Sequence, residues 1–312
     1  MRTKTNHKGK PAFILSSDWH LREDVPICRK DDFYESQWKD VDHVSYLQRM
    51  WNIPVILPGD LFDHWKPSPK LLSDTMRHIP KKLYAVYGNH DVPQHNLDLA
   101  EKCGMFTLVT SGHVNLLNDT DTEFVVAQDG LKPCYTIGSS WNELPTTDDF
   151  TYGMSMLAWH VEVYQGTNPY VNGKPSRAAQ LLKDYPNFDL IVTGDNHIPF
   201  VEYYDGRLLV NPGSLNVQST SETHKPRVYL YYPESHTVEA VYLPQDHVKV
   251  SDAHLIVKKD RDSRIDAFIS GLNDDYDIGT SFEDNLEKYV ELNKIENEVN
   301  NIIIKSLEHD IK

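Results

Sequence analysis

Five apolar runs in this chain each end in side chains able to bind a metal ion, and that recurrence limits the possible folds more than any other feature. Ala12, Phe13, Ile14 and Leu15 lead to Asp18 and His20; Val55, Ile56 and Leu57 lead to Gly59 and Asp60. Leu83 to Tyr87 leads to Gly88, Asn89, His90 and Asp91, Met154 to Trp159 to His160, and Leu190 to Thr193 to Gly194, Asp195, Asn196 and His197. Short apolar runs bounded by turn residues read as buried strands. Residues beyond the carboxyl ends of parallel strands meet in the crevice along the sheet's rim. A single Asp-x-His or Gly-Asp is more often a turn or a helix cap than a ligand. Five such strand ends in one chain point to one shared pocket.

The chemistry of each side chain suggests its role there. A carboxylate such as Asp60 has two oxygens and serves two ions held a few ångströms apart, one with each. Asp18 and His20, at alternate positions of extended chain, face one ion together. The amide oxygen of Asn89 is a neutral, hard ligand suited to manganese or magnesium. His90 then faces the substrate, where it stabilises developing charge or protonates the leaving oxygen, and Asp91 is placed to orient its imidazole. His160 taken alone reads equally as a satisfied core histidine; beside the other donors it reads as a ligand.

Between these strands the chain alternates helix and loop. Trp38, Val41, Val44, Leu47 and Trp51 recur at three- and four-residue steps, the pattern of an amphipathic helix from Glu35 to Trp51. Ser68 followed by Pro69 marks a second helix start, ending before Pro80. Phe124 to Ala127 and Cys134 to Gly138 alternate as strands. Tyr164 to Pro175 is a loop rich in Gly, Asn and Pro, and Asp205-Gly206 turns a hairpin from Val201–Tyr204 into Arg207–Val210. Arg22, Arg29 and Lys30 read either as contacts to a phosphate backbone or as solvated surface. Trp65 beside Lys66 stacks on a base or plugs a gap under its loop, and His95 touches substrate or belongs to a polar loop. From about Val248 the character changes: Ile265, Phe268, Ile269 and Leu272 fit one helix, and Ser281 caps a longer one carrying Leu286, Tyr289, Leu292, Ile295, Val299 and Ile302.

At 312 residues the chain holds one large α/β domain and a small appendage, assigned to 1–247 and 248–312. Cys28, Cys103 and Cys134 are odd in number and lack C-x-x-C spacing, which points to reduced, structural thiols and away from a thiolate zinc site. The segment Met1 to Lys10 lacks an apolar core and no stretch approaches a membrane span, so a cytoplasmic protein without membrane contact is expected. The net charge of −15 argues against broad wrapping of nucleic acid. It leaves room for a nuclease, because divalent ions bring their own positive charge to the phosphate.

In order, Asp-x-His, Gly-Asp, Gly-Asn-His-Asp, a lone His and a Gly-x-x-His pair resemble the calcineurin-like metallophosphoesterases over roughly residues 12–215. Gly59-Asp60-Leu61-Phe62 followed by Pro67-Ser68, and Val210-Asn211-Pro212-Gly213-Ser214-Leu215, look like the SbcD-type nuclease subunit of SbcCD and double-strand-break repair complexes, in its compact phage and prophage form. The resemblance implies a four-layer αββα sandwich of two mixed sheets flanked by helices, with a small, mostly helical C-terminal appendage. It also implies two divalent ions, manganese first and magnesium second. One is held by Asp18, His20, Asp60 and His197 and the other by Asp60, Asn89, His160 and Asp195, with hydroxide attacking the phosphodiester. The implied partners are DNA, an SMC-like coiled-coil ATPase and a second copy of the chain. One departure is plain: Asp195 stands where the family pattern has His, so three carboxylates face the two ions, which favours manganese or magnesium over zinc. A phosphatase, or a phosphodiesterase for cyclic nucleotides or other small molecules, is the rival for the same chemistry, and a non-enzymatic scaffold the second.

Overall fold

In β1 (Phe13–Leu15) and β2 (Val55–Leu57) every residue is buried, yet successive side chains enter different cores. Phe13, Leu15 and Ile56 belong to one cluster, and Ile14, Val55 and Leu57 to another. A period of two on a strand sends neighbours to opposite faces, so these strands lie in a sheet covered on both sides. The computed structural model describes residues 9–119, 133–146, 153–168, 175–220, 222, 224–244, 248–253, 255, 259, 261–265, 282–296, 298–299 and 301–302.

The first sheet has the order β13-β12-β1-β2-β3-β4, with β3 at Leu83–Ala85, β4 at Asn115–Leu116, β12 at Arg227–Tyr232 and β13 at Thr237–Tyr242. Strands β1 to β4 run parallel; β12 is antiparallel to β1, with Ile14 opposite Leu230, and β13 is antiparallel to β12. The second sheet, β10-β11-β9-β6-β5, comprises β5 (Cys134–Ser139), β6 (Met154–Trp159), β9 (Leu190–Thr193), β10 (Phe200–Tyr204) and β11 (Arg207–Asn211), all parallel except the β10–β11 hairpin. Both sheets are mixed, and β7 (Val163–Tyr164) pairs with β8 (Ser176–Arg177) apart from them. Between the two sheets lies a core built from Phe13, Leu15, Ile56, Tyr229 and Tyr231 on one side and Met156, Ala158, Leu190, Val192, Leu208 and Val210 on the other. Helices α1 (Phe33–Trp51), α2 (Pro69–His78) and α3 (Gly104–Thr110) cover the outer face of the first sheet, and α4 (Ala178–Asp184) that of the second. The result is a four-layer αββα sandwich.

The helix boundaries follow from capping. The Asp32 carboxylate accepts the Glu35 N–H at the start of α1, and Asn52 ends it in the left-handed region at φ 55°. At α2 the Ser68 hydroxyl accepts the Leu71 N–H, with Pro69 in the first turn where its missing N–H costs nothing.

The chain divides into two compact units, Met1–Ser251 and Asp252–Lys312. It stays with the first unit beyond the change of character at Val248, because Lys30 donates its N–H to the Lys249 carbonyl and Ser251 to that of Cys28. In the second unit α5 (Phe282–Leu292) stops earlier than the apolar spacing predicts. Lys294 adopts φ 50°, and the N–H groups of Lys294 and Ile295 donate to the carbonyls of Glu291 and Val290. That pairing is a Schellman stop, a backbone feature that side-chain spacing does not report. The expected strand Phe124–Ala127, most of the expected 265–272 helix and the Ser281 cap lie outside the described residues.

Phe13 is fully buried between the sheets, its ring centroid 6.3 Å from that of Tyr231. Phe13→Ala is expected to destabilise the protein by about 3–5 kcal/mol, read from the urea midpoint at unchanged slope.

Candidate metal centre

The five ligand-bearing segments leave strands β1, β2, β3, β6 and β9 at one edge of the sandwich, drawn from both sheets. Four of the acidic and imidazole residues sit on strained backbone: Asp18, His20, Asp60 and Asp195 have φ of 48°, 43°, 54° and 75°. Left-handed backbone at a residue with a side chain costs roughly 1–3 kcal/mol and persists only where the surroundings enforce it. Here they do. The His20 and Leu21 N–H groups donate to the carbonyls of Asp60 and Leu61 at 3.0 Å, and Leu215 donates to the Asp18 carbonyl at 3.1 Å. Glycine clears the remaining space: a Cβ on Gly88 would lie 2.0 Å from Asp60 Oδ1, and one on Gly59 2.3 Å from His160 Nδ1.

Asp60 stands at the middle. Its Oδ2 lies 3.4 Å from His20 Nε2 on one side and 3.6 Å from His160 Nε2 on the other. The expectation of one oxygen for each ion is not what the structure places, because Oδ1 accepts the His90 N–H at 3.0 Å. His160 donates Nδ1–H to the Pro58 carbonyl at 2.7 Å, which leaves Nε2 bare toward Asn89 Oδ1 at 3.0 Å and Asp195 Oδ1 at 3.8 Å. The Asp195 N–H donates to Asp18 Oδ1 at 3.0 Å, and the other Asp18 oxygen accepts the Ser17 hydroxyl. His197 points Nδ1 at Glu222 Oε1, 2.7 Å away, and Nε2 at His20 Nε2, 3.0 Å away. All seven sequence-predicted ligands therefore meet in one pocket.

Electrostatics make the cluster uncomfortable without a cation. Burial, with the nearby Asp91 and Asp18 charges, raises the Asp60 carboxyl well above its ordinary range. Burial also raises Asp195, against the pull of His160. Burial and the neighbouring His197 push His20 well below the usual imidazole value. Burial alone would lower His197, but the Glu222 hydrogen bond and the Asp18 charge prevail and lift it to about 9. His20 Nδ1 is buried without a hydrogen-bond partner, and two facing imidazole nitrogens 3.0 Å apart share at most one proton. Asp18, His20 and His197, and likewise Asp18, Asp60 and His160, each offer donor atoms within 4.8 Å of one another. Carboxylate oxygens, an amide oxygen and bare imidazole nitrogens form a donor set that fits divalent cations.

Several roles assigned from sequence change. Asp91, expected to orient the His90 imidazole, is fully buried and accepts three backbone N–H groups, from Phe62 at 3.1 Å on Oδ1 and from Leu61 and Gly88 at 3.3 and 3.0 Å on Oδ2. It ties the Asp60 loop to the Asn89 loop. The His90 ring is held by the Asp63 carbonyl, 2.8 Å from Nδ1, and lies edge-on to His20 with centroids 4.7 Å apart. Arg22 is bound by Asp24, by Asp63 at 2.9 Å and by Gln218 at 3.2 Å, so its guanidinium is committed inside the protein. Arg29 is buried among Asp31, Ser36 and the Val217 carbonyl, a structural role rather than a phosphate contact. Lys66 is exposed above the Trp65 ring, and Trp65 itself packs against the core. His95 donates to the Asn89 carbonyl at 2.8 Å with its ring 6.3 Å from that of His90.

Sequence reasoning takes Asn211-Pro212-Gly213-Ser214 as a tight loop whose backbone supports the ligand loops, as the Ser214 and Leu215 N–H bonds to the His197 and Asp18 carbonyls do. It missed Glu222 and the side-chain bonds of this segment. Asn211 Nδ2 donates to the carbonyls of Asn196 and Ile198, Asn216 Nδ2 to that of Trp19, and Gln218 Nε2 to that of His20. Polar side chains clustered after the Asn-Pro-Gly-Ser turn were the available signal. No spacing rule marks them.

A profile of the calcineurin-like phosphoesterase superfamily domain matches residues 13–232, and the chain belongs to that superfamily. By class it is a metallophosphoesterase, a phosphoester hydrolase that works with divalent metal. No curated protein matches the chain in sequence. Among solved structures, the TT1561 protein of Thermus thermophilus is similar at 11% identity and a TM-score of 0.47, over 76% of this chain and all of that one. An archaeal phosphodiesterase is similar at 14% identity and 0.39, over 74% and 99%. A putative 5'-nucleotidase from Staphylococcus aureus gives 13% and 0.46, over 80% of this chain and 58% of that one. Among the described residues no helix is long and apolar enough to cross a membrane.

A ligand imidazole must be neutral, whereas His197 keeps its proton to about 9 in the metal-free protein. Manganese uptake at pH 7.5 is therefore expected to release at least one proton, with apparent affinity rising with pH up to that value. Titration calorimetry in buffers of differing ionisation enthalpy measures this; no proton release would contradict the assignment of His197.

Proposed function

We propose that the chain is a manganese-dependent DNA phosphodiesterase of the SbcD type, with magnesium as the alternative ion. One observation carries this proposal. The Asn211–Leu215 segment, whose pattern resembles those nucleases, opens a stretch that reaches the first ligand loop three times, through Leu215 N–H, Asn216 Nδ2 and Gln218 Nε2. The nuclease-like part of the sequence is thus built into the site.

Asp18, His20, Asp60 and His197 would hold one divalent cation, and Asp60, Asn89, His160 and Asp195 the other. Divalent cations held by these residues would supply Lewis acidity, neutralising phosphate charge and lowering the pKa of water toward neutrality. The protein's own part is positional. Asp60 Oδ2 faces both halves of the pocket, and the Nδ1–H bond of His160 to Pro58 keeps that ring's Nε2 bare. His90 is anchored through Nδ1–H on the Asp63 carbonyl, and in its doubly protonated form its Nε2–H would donate to a phosphoryl oxygen or to the departing sugar oxygen. His95 and Lys66 lie on the neighbouring loops as contacts for the flanking strand.

The acidity of the chain, −15, favours the small-molecule phosphodiesterase or phosphatase as the second reading. The C-terminal unit is assigned to contact with an SMC-like ATPase. The exposure of Leu255, Ile265, Leu292, Val299 and Ile302 supports such a role.

With manganese, hydrolysis of plasmid, linear duplex and single-stranded DNA is expected to exceed that of a generic phosphodiester. Turnover of the small ester alone would overturn the nuclease reading, and turnover of neither would overturn the enzyme. Asp60→Ala, which removes the shared oxygen, is expected to abolish stable binding of both ions by calorimetry. His90→Ala should retain metal and lose about 10²–10⁴-fold in turnover; metal lost from His90→Ala would refute this division of roles. Asp195→His should shift activity from manganese toward zinc, and equal activity across manganese, magnesium and zinc in both proteins would refute the carboxylate argument.

A further inference from the structure

The two outer imidazoles of the pocket are backed in different ways. His160 leans on a neutral group, the Pro58 carbonyl. His197 leans on a full carboxylate, Glu222, whose side chain is 8% exposed and whose Oε1 lies 2.7 Å from Nδ1. The second Glu222 oxygen accepts the Gln218 N–H at 2.8 Å, so the carboxylate has one ring and one backbone donor and no freedom to swing away. Gln218 continues the chain of contacts: its side chain donates to the His20 carbonyl at 2.9 Å and accepts from Arg22 at 3.2 Å. Arg22 in turn holds Asp63, which lies 3.6 Å from the otherwise unpartnered His20 Nδ1. Both imidazoles of the Asp18–His20–His197 group thus stand against carboxylates, and one glutamine spans the two.

We propose that Glu222 is a positioning residue for His197. It holds the Nδ1–H, aims Nε2 at the cation position shared with Asp18 and His20, and makes that half of the pocket the tighter of the two. This rests on the metal-binding reading of the site. A carboxylate accepting from a ligand imidazole fixes its tautomer and orientation and raises its basicity, and removing such a partner typically costs 10–100-fold in metal affinity. Glu222 is outside the set of donor residues and touches no position where substrate would react, so it acts only through His197.

The test is manganese titration of the full chain by calorimetry, comparing wild type with Glu222→Ala, Glu222→Leu and Glu222→Gln, each checked for folding by circular dichroism in the presence of a chelator. Glu222→Ala leaves a void and Glu222→Leu fills it, and neither can accept from Nδ1. Corrected for the protons that binding releases, both are expected to weaken one of two sites by about 10–100-fold and leave the other unchanged. Glu222→Gln keeps an amide oxygen as acceptor and is expected to recover most of that loss, which a packing defect would not do. Cobalt loaded in place of manganese adds a second readout, since reorientation of His197 should shift its visible d–d absorption in the Ala and Leu variants and not in Gln. Wild-type affinity in Glu222→Leu, or a Gln variant no better than Leu, overturns the proposal. If Ala fails to fold, Leu and Gln decide. If wild type binds no manganese at all, the metal reading itself falls and takes this inference with it.

Discussion

Asp60 Oδ2, placed between the Nε2 atoms of His20 and His160, is the contact on which the rest of the site depends. Bringing one buried carboxylate oxygen between two imidazoles, with Asp18 and Asp195 close by, concentrates charge where water cannot relieve it. The fold meets that demand through the backbone. Asp91 accepts three N–H groups of the two adjoining loops. His160 is locked through Pro58, and the 211–218 segment fastens the Asp18–His20 turn from the far side. These contacts tie the loops that carry the donors to one another.

Much of this was legible in the amino-acid sequence because the donors follow directly from strands. An apolar run such as Leu190 to Thr193 fixes where the chain leaves the sheet, and Asp195 and His197 fall where it leaves. The unbroken apolar runs of β1 and β2 likewise read as strands buried on both faces. Capping by Ser68 shows the same directness, since its partner lies three residues on.

What was not legible depends on contacts between distant segments. Asp91 adjoins His90 in sequence, which invites pairing of the two side chains, but the turn brings three main-chain donors to Asp91 first. Arg22 and Arg29 have the composition of phosphate contacts and are consumed by Asp63, Gln218, Asp31 and the Val217 carbonyl, partners up to 196 residues away. Glu222 lies 25 residues from the imidazole it supports and carries no spacing signature. The early stop of α5 at Leu292 is likewise a property of the Lys294 backbone, invisible to apolar periodicity.

The donors come from both halves of the sandwich: Asp18, Asp60 and Asn89 leave the first sheet, His160, Asp195 and His197 the second. A cation gripped by both sets behaves as a rivet through the seam between the sheets. Anything that binds only the assembled form adds to its stability by mass action, so loading and final closure of the two layers become one thermodynamic event. Withdrawing a cation bound there would therefore lower resistance to unfolding along with turnover.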